Sequence, residues 1–147
     1  GVWSELTAPV APRLVLLSTP ERFVDTRSGL GGVQGPVAAG TTSTVAMTGR
    51  TGERNDAALT IPDRATALVG NLSVLGAASA TSGSFVTLWP SGPRPATASI
   101  TYGPDTVISN AFLVGLADTG GGHRGITVYD HGACHFLIDV TGYYVEG

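Results

Sequence analysis

The chain has 147 residues, of which 42% are hydrophobic and 13% charged, with 21 Gly and 9 Pro. That hydrophobic share excludes a disordered chain in spite of the Gly and Pro, and the length suits one domain with a sizeable core. A formal net charge of −3 with no Lys anywhere excludes the basic footprint of a nucleic-acid binder. Cys134 is the single cysteine, so no internal disulfide is expected. No run approaches the roughly 20 apolar residues of a membrane helix, so membrane insertion is not expected. The chain opens on Gly1 rather than Met, which reads as a processed form or an excised domain.

Residues 1–13, "GVWSELTAPVAPR", combine small residues with two prolines and the apolar Val2, Trp3, Leu6 and Val10. They read as an extended N-terminal arm whose apolar side chains contact a neighbouring subunit. Residues 14–147 read as a single domain. Short β-type runs then alternate with turn punctuation. They are "RLVLL" (13–17), "RFVDTR" (22–27), "TSTVAM" (42–47), "ALVGNLSVLGA" (67–77) and "SFVTLW" (84–89). "TASITY" (97–102), "TVISNAFLVGL" (106–116), "GITVYD" (125–130) and "CHFLIDVTGYY" (134–144) follow. Between them lie Gly-, Pro- and Asn/Asp-rich loops. This spacing predicts an all-β fold, an antiparallel two-sheet β-sandwich with jelly-roll-like or related Greek-key connections. Helical periodicity is confined to one expected turn after Ile61-Pro62, where "PDRA" places proline at a first helical position.

The stretch "RFVDTRSGLGGVQGPV" sets Asp25 and Arg27 around one threonine, ahead of a glycine-rich run. A phosphate-cradling loop needs such glycines between a strand and a helix N-terminus. Here they lead to Pro36 and then to a strand-like run, and the chain has no lysine to complete a P-loop. On a strand Asp25 and Arg27 point to one side, and a neighbouring cation depresses the acid's pKa. The expectation is therefore a structural ion-pair clasp rather than a poised base. Asp139 sits mid-strand in "HFLIDVTG" and needs a donor. Arg27 is expected to be largely buried and to pair with Asp25 or Asp139.

Two further clusters carry chemical side chains. "HGACHFLID" offers His131, Cys134 and His135 as metal-ligand types and Cys134–His–Asp139 as nucleophilic types. On a strand Cys134 and His135 face opposite ways, so a quiet buried thiol and no metal are expected. Trp89 precedes the loop "PSGPRP" at a strand end. Trp3, Trp89, Tyr102, Tyr129, Tyr143 and Tyr144 are candidates for a sugar-stacking platform, as on a carbohydrate-binding module, with Trp89, Arg94 and Tyr102 the set singled out.

The phrases "STPERFVDTRSGLGG", "IPDRATALVGNLSVLGA", "FVTLWPSGP", "PATASITY", "SNAFLVGL" and "FLIDVTGYY" together resemble a β-rich accessory module common in secreted actinobacterial proteins. Its recurring pattern runs DTR … NVTV … DVxGYF. The resemblance spans about residues 18 to 145. Ser91 stands where that family often has Cys, and Tyr144 where it ends in Phe. The resemblance implies a module appended to hydrolases and surface proteins, with relatives among actinophage structural proteins. It implies no catalytic residues and no cofactor. The expected function is thus a non-catalytic structural or adhesion module of an extracellular, cell-surface or virion assembly, a decoration or tail component for example. Self-association or a neighbouring structural protein would be its partner. The alternative is a module that binds polysaccharide or cell wall.

Overall fold

The computed structural model describes residues 11–52 and 59–146. Nine strands follow one another along the chain: β1 (Pro12–Asp25), β2 (Thr41–Ala46), β3 (Ala67–Gly76), β4 (Ser84–Trp89), β5 (Ile100–Tyr102), β6 (Val107–Gly115), β7 (Ala117–Gly120), β8 (His123–Asp130) and β9 (Cys134–Glu146). All pairings between these strands are antiparallel. One sheet has the order β1-β9-β3-β6, and the other has the order β2-β8-β4-β5 with β7 added on β8. The fold is the all-β, two-sheet sandwich that the alternating runs imply. Among the described residues no helix is long and apolar enough to cross a membrane.

Alternation along the strands builds most of the core. From the first sheet come Phe23, Leu68, Leu72, Val74, Phe112, Phe136, Ile138 and Val140, and from the second come Val45, Val86, Leu88, Ile126 and Val128. Their facing layers close against water, each buried aliphatic or aromatic side chain contributing about 1.5–3 kcal/mol of hydrophobic stabilisation. Met47 and Ile61, also fully buried, come from the chain after β2 and before β3.

Several boundaries differ from those expected. Runs 13–17 and 22–27 are one strand, because "STPE" passes through β1 at register shifts between Leu16 and Glu21 and between Arg22 and Val24. β1 lies at a sheet edge and Pro20 falls in the shifted stretch between Leu16 and Glu21, the two settings in which a sheet tolerates proline. Pro12 and Arg13, read as the end of an arm, already pair with Glu146 and Val145. The "ADTGGGH" segment, expected to be loop, holds β7, whose hairpin with β8 turns through Gly120, Gly121 and Gly122 at positive φ. The expected helical turn at "PDRA" is a single tight turn, closed by the Ala65 amide on the Pro62 carbonyl at 3.0 Å.

β9 carries a second irregularity. Gly70 faces Val140 but Val69 faces Gly142, so Thr141 is an extra residue in the ladder. The bulge reverses the phase of the strand. Phe136, Ile138 and Val140 point into the core before it, and Tyr143 and Val145 turn inward after it. Gly70 is required there, since an added Cβ would collide with the Asp139 carbonyl oxygen and press on the Phe112 ring. Backbone cannot yield as a flexible side chain can. Gly70→Ala is expected to lower stability by about 2–3 kcal/mol or more, read as a fall in the urea midpoint. The exposed Gly83→Ala, which meets nothing within 4 Å but has φ of +80°, is expected to cost about 1 kcal/mol.

Candidate functional site

The outer face of the β1-β9-β3-β6 sheet carries the charged clasp. The Asp25 carboxylate accepts from the Arg27 amide and Nε at 3.0 Å each through Oδ1, and from Nη2 at 2.9 Å through Oδ2. Asp139 is held by a different arginine. Arg22 Nε donates to Asp139 Oδ1 at 2.8 Å and Nη2 to Oδ2 at 3.2 Å, while Nη1 lies 3.8 Å from Asp25 Oδ2. The chain of charges is therefore Arg27–Asp25–Arg22–Asp139. Arg22 and Asp139 are cross-strand partners in the ladder, which brings their side chains together. Arg27 is not the buried member: its side chain is 47% exposed, against 11% for Asp25. It sits just past the end of β1, in the turn that opens the glycine run. The bidentate bond with Arg27, above all, holds the Asp25 carboxyl below its ordinary pKa.

The glycine run after the clasp folds back on it. The Asp25 carbonyl accepts from the amides of Ser28, Gly29 and Leu30, the Gly32 amide bonds the Gly29 carbonyl, and the Gly35 amide bonds the Thr26 carbonyl at 2.7 Å. These N–H groups turn inward rather than converging on a vacant anion position, as a phosphate loop would require. Thr26 Oγ1 accepts the Phe136 amide at 3.1 Å and meets His135 Nδ1 at 2.9 Å, so the loop is stitched to β9.

A second polar cluster lies inside one end of the sandwich. Asp130, at the end of β8, faces inward and is fully buried with Tyr102, Cys134 and Ser84. Tyr102 donates its hydroxyl to Asp130 Oδ1 at 2.6 Å. Oδ2 lacks a well-aligned partner, although the Cys134 thiol and the Gly132 amide stand close enough to favour its charge. Burial dominates and pushes the Asp130 carboxyl up to about 6. Burial likewise pushes the Tyr102 hydroxyl and the Cys134 thiol upward, away from anionic forms at neutral pH. Cys134 is thus a buried thiol without thiolate character.

The three residues that suggested a metal part company. Cys134 points into the core, His135 bonds Thr26 on the outer face, and His131 stacks on Phe85 with ring centroids 4.8 Å apart. Among the described residues no group of three or more His, Cys, Asp and Glu side chains converges. A further polar trio joins Thr48 Oγ1 and His123 Nδ1 to one oxygen of Asp63, at 2.7 and 2.8 Å. The acid sits between the other two, whereas a nucleophilic triad needs the histidine there. Thr48 in turn accepts the Arg124 amide at 2.8 Å, which ties the turn before β3 to β8.

The expected stacking set of Trp89, Arg94 and Tyr102 is not assembled. Trp89 is buried and donates Nε1 to the Gly92 carbonyl at 3.0 Å, so the 90–99 loop covers its ring. Tyr102 faces the core. Arg94 instead lies over the Tyr129 ring, with 3.7 Å from guanidinium carbon to centroid, and Phe85 stands 5.9 Å from Tyr129. The half-buried Phe85 and Tyr129, with His131 and Arg94, form a cationic aromatic platform on the outer face of the β2-β8-β4-β5 sheet. Tyr129 is among the aromatics the sequence offers, but Phe85 joins Tyr129 and His131 only through the β4–β8 pairing, which residue order does not show. Val2, Trp3, Leu6 and Val10 lie outside the described residues. Comparison with known proteins found no matching family model, no matching curated protein and no matching solved structure.

Two measurements follow from these sites. Asp25→Asn removes the negative charge that faces both Arg22 and Arg27 and is expected to cost about 1–3 kcal/mol in urea denaturation. Arg27→Ala, at an exposed position, is expected to cost no more than about 1 kcal/mol. Equal losses would place Arg27 in the load-carrying half of the clasp.

Asp130 sets a pH dependence of the opposite kind. Its folded pKa lies above the ordinary 3.8, so folding favours the protonated acid. Its stabilising share is complete below about pH 4 and declines as pH rises towards 6, because the unfolded chain ionises first. Asp25 acts below that window, where its lowered pKa makes stability fall with acid. Asp130→Asn keeps an acceptor for Tyr102 and removes the titration. Between pH 4 and 7 it is expected to abolish a decline of about 2–3 kcal/mol, measured as unfolding free energy against pH. An unchanged slope in the variant would exclude Asp130 as its source.

Proposed function

We propose that the chain is a non-catalytic structural or adhesion module of an extracellular or particle-surface assembly, whether on a cell surface or as a virion decoration or tail component. The observation that carries this reading is the outer face and open edge at β6. Val107 is 76% and Leu113 65% exposed on a strand that bears no charge. Exposed apolar side chains clustered in one strand suit a surface that another molecule covers. The charged clusters favour the same reading, because their atoms are occupied in tying β1 to β9 and the loops to the sheets. The resemblance to accessory modules of secreted and phage structural proteins agrees with it.

A second reading rests on the platform of Phe85, Tyr129, His131 and Arg94. Aromatic rings beside a guanidinium suit a sugar ring that carries a carboxylate or phosphate. In that case the chain is a polysaccharide- or cell-wall-binding module.

Mass measurement by light scattering, paired with retention on insoluble cell-wall polysaccharide, separates the two. The assembly reading expects self-association or a protein partner without retention. A monomer that is retained, and that loses retention in Tyr129→Ala, would overturn it in favour of glycan binding.

A further inference from the structure

The open edge of β6 has a geometry that selects its own occupant. Among the described strands β6 pairs only with β3, so its other side is a sheet edge. The Leu116 amide bonds the Thr66 carbonyl and the Gly76 amide bonds the Thr106 carbonyl. These bonds fix the phase of the ladder: even-numbered residues of β6 turn their backbone groups to β3. The N–H and C=O groups of Val107, Ser109, Ala111, Leu113 and Gly115 therefore face outward.

Sheet edges of this kind are ordinarily protected by charge, proline, a bulge or brevity. β6 has none of these. It is nine residues long, its register with β3 is continuous, and neither a charge nor a proline occurs between Asp105 and Asp118. We infer that β6 is the self-association edge of this protein, pairing antiparallel with β6 of a second copy about a two-fold axis at Ala111. This inference rests on the assembly reading above and names its partner.

Three features point to a second copy rather than to an unrelated chain. First, in the Ala111-centred register the outward-facing residues are directly opposed, and each pair exchanges two backbone bonds, about ten in all. Second, side-chain sizes alternate to suit that register. Val107 lies opposite Gly115 of the other copy, Leu113 opposite Ser109, and Ala111 opposite itself, so each large residue meets a small one. Third, a body with net charge −3 repels its own copy at most surfaces, and this neutral strand brings no like charges together. Val69 and Leu75 of β3 lie beside Leu113 and Val107 in the ladder. The apolar surface thus continues from one sheet across the axis into the other, and two four-stranded sheets become one of eight strands. An isologous contact of this type closes as a dimer. A nine-residue edge pair is at the small end of stable interfaces, so the dimer is expected to depend on concentration.

Sedimentation velocity over a wide concentration range tests the pairing in three proteins. Wild type is expected to pass from monomer to dimer. Ala111→Lys sets two ammonium groups face to face at the axis and is expected to remain monomeric, with unchanged circular dichroism and, at concentrations where wild type is also monomeric, an unchanged melting temperature, because Ala111 is exposed. Ala111→Cys is expected to form a disulfide-linked dimer under mild oxidation, since hydrogen-bonded cross-strand pairs lie about 5.5 Å apart at Cα. The buried Cys134 is not a competitor. An oligomer that persists in Ala111→Lys would overturn the β6 edge and leave the assembly reading standing. A wild-type dimer in which Ala111→Cys does not cross-link would overturn the register. A wild-type monomer at every concentration, retained on polysaccharide, would overturn both the pairing and the assembly reading.

Discussion

The ladder on both sides of β9 is the constraint on which the rest of the fold depends. β9 lies between β1 and β3 and is bonded to each. Its inward residues, Phe136, Ile138 and Val140, are among the most deeply buried in the sandwich. Its outward polar residues must then be satisfied on the other face; Thr141 donates to the Val69 carbonyl of β3, and the partners of Asp139 and His135 come from β1 and the loop beyond it. Asp139 meets Arg22, and His135 meets Thr26. One strand thereby couples the hydrophobic layer to the polar clasp. Loss of its register would expose the first and strand the second together, because a one-residue slip exchanges the two faces.

With so few charges, the arginines act as structural ties. Arg22 links β1 to β9, and Arg27 closes the turn after β1. Arg50 donates to the carbonyls of Ala46 and Phe23, which belong to different sheets, and lies over the Phe23 ring. Arg124 caps the Ala65 carbonyl at 3.1 Å. Each role uses the planar guanidinium, with several donors in a fixed fork, for which an ammonium is a poor substitute. Burial makes the charged state of Arg50 less favourable, and its two carbonyl bonds compensate for part of that cost.

The two outer faces of the sandwich differ in what they offer a partner. One carries an uncharged, apolar edge strand at β6 and, across β3 at the opposite side of the sheet, an internally satisfied ion-pair chain on β1 and β9. The other carries aromatic rings and a guanidinium whose described contacts are the Phe85 and Tyr129 rings. A module with both can be fixed into an assembly through one sheet and leave the other directed outward. The proposed structural role draws on the first surface and the polysaccharide reading on the second, and the two surfaces do not compete for the same residues.

Much of the architecture was legible in the residues alone, because strand alternation has a period of two and reports on a local choice of face. Alternation along "SFVTLW" and "HFLIDVTG" divides the residues of β4, and of β9 up to the bulge, between two faces, and packing decides which face is inner; Asp25 and Arg27 do meet, although Arg27 reaches back from the turn past β1. Tertiary structure decided what depends on residues far apart in sequence. Asp139 lies 117 positions from Arg22, so only the β1–β9 register could select that donor over Arg27. The bulge at Thr141 reversed the last turn of alternation, since an extra ladder residue shows only against its partner strand. Trp89 and Tyr102 look like surface aromatics beside their loops, yet the 90–99 loop covers one and Asp130 holds the other inward. The exposed edge of β6 is likewise invisible in its sequence, which suits a central strand equally well. Its place at the end of a sheet is a property of the strand order, fixed when β3 pairs with β9 on one side and leaves β6 on the other.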